Sequence, residues 1–483
     1  MNNLKNVKKN NVLKSRTFSN SLKLTSKKNF LTLDSNLKSK KSVVKNLYRA
    51  AYHSSNRVKE YEGYIDRNYT PNKNDLVCEY YLEPANGISF ESACQRVASE
   101  SSIGTWTDIG TMSHDLFNKL APKIFSLNPK NGIFKVAYSC ELFEEHNVAQ
   151  IMSAIAGNIF GMSDVKNLKL LDIDFPNSFI RHYSGPMYGI NGIRKIMKEK
   201  YRPFVGTSVK PKVGLTEAGH SLIAYDSWIG GCDFVNDDEN LTSLKSNNFD
   251  KRISLTLRAR DKAEQVTGEK KIYAPNITAP YPEMVRRAKE VMRNGGEYVL
   301  IDILTTGWSA VQAFKDLDLR VVIHGHRAMH AAFTRNPNHG ISMLAIAKFC
   351  RLIGVDQLHV GGIVGRMFEG EKDVVNVGES IESQIVSKNI FRHRLQEDWL
   401  NLNPMLAVCS GGLCPAKVQP LIHAMGRDTL IMAGGGIHGH PNGTIAGAKA
   451  MRQAVDAETY GIDPHEYALT HLELKLALEK WKK

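Results

Sequence analysis

No hydrophobic run in this chain approaches the ~20 residues needed to cross a bilayer, so a soluble protein with no membrane partner is expected. Cysteine is sparse. The seven cysteines, Cys78, Cys94, Cys140, Cys232, Cys350, Cys409 and Cys414, are odd in number and none are paired at the two-residue spacing of a zinc knuckle or redox motif. They read as reduced, mostly buried thiols. Also missing is a dinucleotide-binding glycine fingerprint with its downstream acid. Acids are almost absent from residues 1–50, which hold thirteen Lys and Arg against Asp34 alone. The net charge of +14 is therefore local, because the rest of the 483 residues carry 50 basic and 48 acidic groups. That basic arm lacks the interleaved aromatics of a nucleic-acid binder, and no nucleic acid is expected as a partner.

The leading segment, rich in Lys, Asn and Ser, has the composition of an organellar targeting peptide, with Arg49-Ala50-Ala51-Tyr52-His53-Ser54 as its candidate processing region. An organellar matrix, mitochondrial in type rather than plastid, is the expected location. A disordered basic tail on a cytoplasmic protein is the other reading of the same composition. The expected organisation is a basic extension over 1–55, a linker over 56–75, an α+β N-terminal domain over 76–185, a barrel over 186–460 and a helical tail over 461–483.

In the N-terminal part, Val77–Leu82 and Lys135–Ser139 alternate like strands, while Phe90–Ser99 and Val148–Ile159 have helical patterns. From about Phe204 the chain turns to regular alternation of apolar strand and helix. Strands are expected at Phe204–Pro211, Asp233–Val235, Lys271–Thr278, Tyr298–Thr305, Arg320–Arg327, Gln357–Gly362, Met405–Gly412 and Thr429–Gly436. Helices fall between them, for example over Glu283–Met292, Met343–Ile353 and Ala446–Val455. Eight such units over roughly 250 residues predict an α/β protein with a closed (β/α)8 TIM barrel, not an open doubly wound sheet.

Every expected strand ends in polar residues or glycine, and a barrel brings those ends to one mouth. The second strand leads from Gly230-Gly231 through an apolar run into Asp237, Asp238 and Glu239. Three consecutive carboxylates are costly to gather unless a cation sits among them, although a solvated acidic turn is the plainer reading. The other ends supply Lys210 and Lys212, then His324, His326, Arg327 and His330, then His359, Ser410-Gly411-Gly412 and Gly434-Gly435-Gly436. Loops after strands seven and eight are the usual phosphate cradle of a barrel. Arg327 and His359 offer donors for a second anion. Two anion sites flanking a carboxylate-bound ion imply a bisphosphorylated substrate, and hard oxygen ligands favour Mg²⁺. Zinc on the histidines is the other reading, but His324 and His326 share one strand and have no cysteine beside them.

The motifs resemble those of the large subunit of ribulose-1,5-bisphosphate carboxylase/oxygenase, RuBisCO. The lysine stretch Gly206–Gly214, the histidine stretch His324–His330 and the glycine loops at 410–412 and 434–436 carry the likeness. So do Glu100–Trp106 and Gly157–Gly161, and the wording of Ala331–Pro337 is closest to the archaeal, form III branch. The resemblance covers about residues 75 to 460. It implies a Mg²⁺ enzyme that enolises ribulose-1,5-bisphosphate and adds CO₂ or O₂. It also implies a homodimer or higher oligomer with shared active sites, without a small subunit. On matching positions, Asp238 and Glu239 would hold the metal, Lys210 would handle protons with Lys212 in support, and His326 and Glu100 would orient substrate oxygens, with Asn158 near the metal. Arg327, His359 and Ser410 would grip one phosphate. Thr105, Trp106, Gly412, Gly434 and Gly435 would grip the other, beside Gly411.

Two positions depart from the family pattern. Where the family carries a carbamylated lysine as metal ligand and base, this chain has Asn236, whose amide cannot form a carbamate. Where the family has a flexible-loop lysine, this chain has Arg366, with one extra residue before Glu369. The expectations are therefore a form III-like carboxylase with weakened or altered carboxylation or, alternatively, a RuBisCO-like protein that binds, enolises or isomerises a sugar phosphate without fixing CO₂.

Overall fold

The computed structural model describes residues 62–364 and 367–482. The expectations for the basic extension and for Arg366 lie outside the described residues. Fifteen strands are present among them: β1 Asp75–Pro84, β2 Lys123–Asn128, β3 Ile133–Ser139, β4 Val165–Asp174, β5 Phe204–Ser208, β6 Phe234–Asn236, β7 Ile272–Ala274, β8 Tyr298–Asp302, β9 Val322–His326, β10 Gly340–Ile341, β11 Gln357–Gly361, β12 Ile385–Val386, β13 Glu397–Asp398, β14 Leu406–Ser410 and β15 Thr429–Met432.

The first sheet runs β10-β4-β1-β3-β2, antiparallel except where β10 joins β4. Helix Phe90–Glu100 covers it. Its N-terminus is capped by Ser89, whose side chain accepts from Ser92 N–H, and its Ala93, Cys94, Val97 and Ala98 are buried. Residues 62–74, expected as linker, lie on the same sheet: Ile65 bridges Ile124 and Tyr64 is buried. The helix expected over Val148–Ile159 stops at Ile155. A Cβ at Gly157 would sit 2.0 Å from Ser153 O, so only glycine allows the turn into the short helix Asn158–Gly161.

The second sheet runs β7-β6-β5-β15-β14-β11-β9-β8 and is parallel throughout. Its ends meet. Ile277 N–H donates to Leu300 O at 3.0 Å and Leu300 N–H to Pro275 O at 2.8 Å, closing the barrel. All eight expected strands are there, but most stop short of the expected C-terminal limit. The ladder of β8 ends at Asp302 and the chain turns into a helical turn over Ile303–Thr306, while β7 ends before Pro275, which has no N–H to give. Where a run leaves the ladder is decided by these local bonds, which periodicity does not see.

Phe204, Phe234, Ile272, Tyr298, Leu300, Val322, Leu406, Val408 and Leu430 fill the barrel, and Ile190, Ile193 and Met197 of the helix Gly189–Met197 pack with them. Several of these are first or second strand residues, so this helix closes the N-terminal end and leaves the C-terminal end for polar groups. Each buried Leu, Ile or Phe contributes about 1.5–3 kcal/mol. The helix Met343–Leu352, which packs on both β4 and β11, is tied to the first sheet by Lys348 Nζ, which reaches Asp172 at 2.9 Å and the Ile173 carbonyl at 2.6 Å.

Candidate functional site

At the exit of β5 and β6 the side chains are ions. Lys210 Nζ pairs with Asp238 Oδ2, and Lys212 Nζ lies 2.6 Å from Glu239 Oε1 and 3.3 Å from Asp238 Oδ1. Burial pushes the Asp238 carboxyl up, but a bond with Glu239 and the charges of Lys210 and Lys212 outweigh it and hold it at about 2. For Lys212 burial works downward, and Glu239 and Asp238 raise it nonetheless. A Cβ at Gly434 would lie 3.1 Å from Lys210 Cε, so the bare glycine after β15 leaves room for this lysine. The expected neighbours Lys210, Lys212, Asp238, Glu239 and Gly434 are thus brought together.

The first carboxylate of the run faces away from the mouth. Asp237 is fully buried, 3.0 Å from Arg252 Nη2, 3.1 Å from His220 Nε2 and 2.5 Å from the Tyr273 hydroxyl, with Asn276 N–H donating to it at 2.9 Å. Burial raises it, and Arg252 and His220 bring it down to about 2. It ties β6 to the helices outside, as successive strand residues on opposite faces require.

Asn236 ends β6 between Ser208 and Ala274 and is 1% exposed. Its Oδ1 has no hydrogen-bond partner. A buried amide oxygen left open in this way costs about 1–3 kcal/mol unless something satisfies it. No group of three His, Cys, Asp or Glu that could hold a metal ion is gathered among the described residues. Asp238, Glu239 and the open Asn236 oxygen are all hard donors and fit a small divalent cation such as Mg²⁺. Such an ion would displace the two lysine ammoniums.

The exits of β8, β9, β11 and β14 are different in kind. His326 Nδ1 lies 2.9 Å from Asp302 Oδ1, so its other nitrogen is the one left for a ligand. His324 Nε2 meets His359 Nε2 at 2.9 Å, and His359 Nδ1 meets Ser410 Oγ at 2.8 Å. His330 bonds Thr334 Oγ1 at 3.0 Å. Arg327 is buried against Glu369, Nη1 to Oε1 at 2.7 Å, just beyond Arg366 in the chain. The expected group Arg327, His359 and Ser410 is therefore assembled at adjacent strand ends, Arg327 against Glu369 and His359 against Ser410. Gly411 and Gly412 follow with positive φ, and Gly434 and Gly435 open the turn after β15.

Glu100, Thr105, Trp106 and Asn158 stand apart. Glu100 ends its helix, Trp106 is 74% exposed and Asn158 opens the short helix 158–161. Among the described residues no hydrogen bond or ion pair joins these four to the barrel mouth.

Sequence reading missed three supporting residues: Asp302, Gln357 and His438. Asp302 closes β8 as a lone carboxylate after four apolar residues, a signal of the same kind that singled out the acids after β6. His438 bonds Thr207 Oγ1 at 3.0 Å and the Ser208 carbonyl at 3.1 Å, and burial lowers it to about 4. Nothing in the sequence places it beneath Lys210. Gln357, 2.8 Å from His324 Nδ1, begins its strand and carries no sequence signal at all.

A closed parallel barrel with ions at one pair of strand ends and imidazoles at the opposite ones, set behind an antiparallel sheet, defines an α/β-barrel enzyme. Comparison with known proteins is specific about which. Residues 63–179 match the family model of the ribulose bisphosphate carboxylase large chain N-terminal domain, and residues 189–481 match that of its catalytic domain. The ribulose bisphosphate carboxylase of Methanosarcina acetivorans is 49% identical over 421 residues, 86% of this chain and 98% of that one. That of Methanocaldococcus jannaschii is 48% identical, covering 87% and 100%. Among solved structures, the sulfate complex of octameric Rubisco from Pyrococcus horikoshii aligns with TM-score 0.81 and 45% identity over 88% of this chain and 98% of that one. The dimeric Rubisco of Hyperthermus butylicus gives 0.82 and 41% over 87% and 99%. The chain belongs to the ribulose bisphosphate carboxylase large chain family.

The comparisons correct one expectation. These relatives come from archaea, cells without mitochondria or plastids, so kinship gives no support to an organellar matrix. A basic composition reads alike in a targeting peptide and in a plain cationic tail, and the segment concerned lies outside the described residues.

Proposed function

We propose that the protein is a form III-like ribulose-1,5-bisphosphate carboxylase/oxygenase that enolises its substrate and adds CO₂ or O₂. Most support comes from one observation, the joining of Lys210, Lys212, Asp238 and Glu239 in a single ion cluster at the mouth of a barrel whose family is ribulose bisphosphate carboxylase. Magnesium would be held by Asp238 and Glu239 with the Asn236 amide oxygen as a neutral third donor, and would polarise the sugar oxygens when bound. Lys210, released from Asp238, then has an ammonium free to supply a proton at the enediol, with Lys212 holding the remaining charge. Asn236 accepts no proton. The imidazole of His326, steadied by Asp302, is the group at the mouth shaped to take one.

Arg327 provides the positive charge for one phosphate, with His359 and Ser410 lining that end, and Gly411, Gly412, Gly434 and Gly435 let backbone approach the other. Arg366 would stand in for the family's lysine. Glu100, Thr105, Trp106 and Asn158 would complete the mouth of a second copy, which makes a homodimer the smallest active form. Solved relatives described as octameric and dimeric are compatible with such pairing. The two-domain division at about residue 185 and a mouth built without a small subunit belong to the same proposal.

The test is ¹⁴C-bicarbonate fixation into acid-stable product with ribulose-1,5-bisphosphate and Mg²⁺, comparing the protein with Asn236→Lys. Fixation by the unaltered protein above a no-enzyme control is expected. Fixation only by the variant would sink the carboxylase reading and leave a sugar-phosphate site silenced at Asn236.

A further inference from the structure

Beneath the mouth, four side chains form one unbranched hydrogen-bonded chain. Gln357 Oε1 lies 2.8 Å from His324 Nδ1, His324 Nε2 lies 2.9 Å from His359 Nε2, and His359 Nδ1 lies 2.8 Å from Ser410 Oγ. The first three residues are 1%, 0% and 4% exposed, so water does not compete for these bonds. Ser410, at the end of β14, is the member that reaches the mouth. Burial keeps both imidazoles neutral, His324 at about 3 and His359 well below its ordinary value. A neutral imidazole has one donor nitrogen and one acceptor nitrogen.

The chain can therefore run in only two directions. With the Gln357 oxygen facing it, His324 must donate from Nδ1, leaving its Nε2 to accept. His359 must then donate from Nε2 and accept at Nδ1, and the only remaining donor for that nitrogen is the Ser410 hydroxyl. The proton of Ser410 points inward. In the opposite direction an amide N–H would face His324, every bond would reverse, and the Ser410 proton would be free for an anion.

We propose that Gln357 is a positioning residue whose amide oxygen, acting through two buried tautomers, turns the Ser410 hydroxyl inward, so that Ser410 offers the bound phosphate end a lone pair and not a proton. Ser410 then takes a hydrogen bond from a hydroxyl donor, either a protonated phosphate oxygen or a sugar hydroxyl. It gives none to a phosphate dianion, whose charge is left to Arg327 and backbone N–H groups. The inference rests on the anion-site reading of the mouth given above and refines the role of one wall of it.

Two measurements on the full-length protein test it. In [¹⁵N]histidine-labelled protein without ligand, NMR should show His324 as the Nδ1–H tautomer and His359 as the Nε2–H tautomer. Titration with sulfate, an anion with no proton to give, should show that Ser410→Ala changes affinity less than about twofold, where loss of a donor to the anion would cost roughly tenfold. Gln357→Met removes the fixed acceptor, so sulfate can select the reversed chain. In that variant binding should tighten severalfold, and adding Ser410→Ala should then cost about tenfold. An Nδ1–H tautomer at His359, or a tenfold loss from Ser410→Ala in the otherwise unaltered protein, overturns the proposal even if the Gln357 variants do not fold. If sulfate fails to bind at all, the anion-site reading falls, and the tautomers still decide the direction of the chain.

Discussion

The two sides of the barrel mouth use opposite electrostatics. At β5 and β6 four ionised groups neutralise one another near solvent, Lys212 being 48% exposed in its side chain and Asp238 2%. At β9, β11 and β14 His324 and His359 are buried and uncharged, and hydrogen-bond direction orders them where charge orders the first side. The first side can exchange partners when a cation or substrate arrives, because its lysines are tethered only by ion pairs. The second holds its geometry through strand register, with Gln357 opposite His324 in the ladder. The lysine–carboxylate cluster is therefore suited to exchanging partners and the chain from Gln357 to Ser410 to holding an orientation.

The comparison breaks most sharply at two adjacent residues. Asp237→Ala should leave Arg252 buried without a counter-charge and cost about 3–5 kcal/mol in urea unfolding, since both partners are fully buried. Asp238→Asn should fold nearly as well, its lysine partners being partly solvated, but lower Mn²⁺ or Mg²⁺ affinity and carbon fixation by roughly 10²-fold. Equal stability losses in the two variants would show that the two carboxylates do the same work.

Acid separates the buried histidines from the carboxylates by pH window. His324 and His330, at about 3, and His438, at about 4, lie below their unfolded value of 6.5. The unfolded chain therefore takes up protons first, and the stability held above pH 6.5 is lost as pH falls from there towards 3. Asp237 and Asp238, at about 2 against an unfolded 3.8, should keep their contribution until pH falls below about 3.8 and lose it towards 2. Urea midpoints measured across pH 7 to 4 should already decline, and His438→Asn should flatten part of that decline. A flat profile down to pH 4 would remove the case for a neutral, desolvated side. The smallest effect is expected from Lys212→Met, a half-exposed pair worth about 0–1 kcal/mol, whose stability should be nearly unchanged while substrate affinity falls.

Much of this was readable in advance wherever a local pattern carried it. Eight apolar runs with polar ends revealed the barrel, and the ends themselves pointed to Lys210, Asp238, His326 and Ser410. The first sheet was harder. β2 and β4 show weaker alternation and went unread, and residues 62–74 looked like linker because Tyr64 and Ile65 stand alone among polar neighbours. Asp237 and Asp238 could not be told apart by composition, only by which face of β6 each occupies.

The amino-acid sequence by itself determined the barrel class, the family and the residue types at the mouth, since each depends on periodicity and on motifs short enough to survive in one dimension. Tertiary structure alone decided which of those residues are free to act. That Arg327 is paired with Glu369, that the Asn236 oxygen is unpartnered and that Gln357 orders two histidines all depend on contacts between strands dozens of residues apart. A hydrogen bond's direction and a carboxylate's partner are properties of neighbours in space, and the parallel barrel makes neighbours of strand ends that the chain order keeps apart.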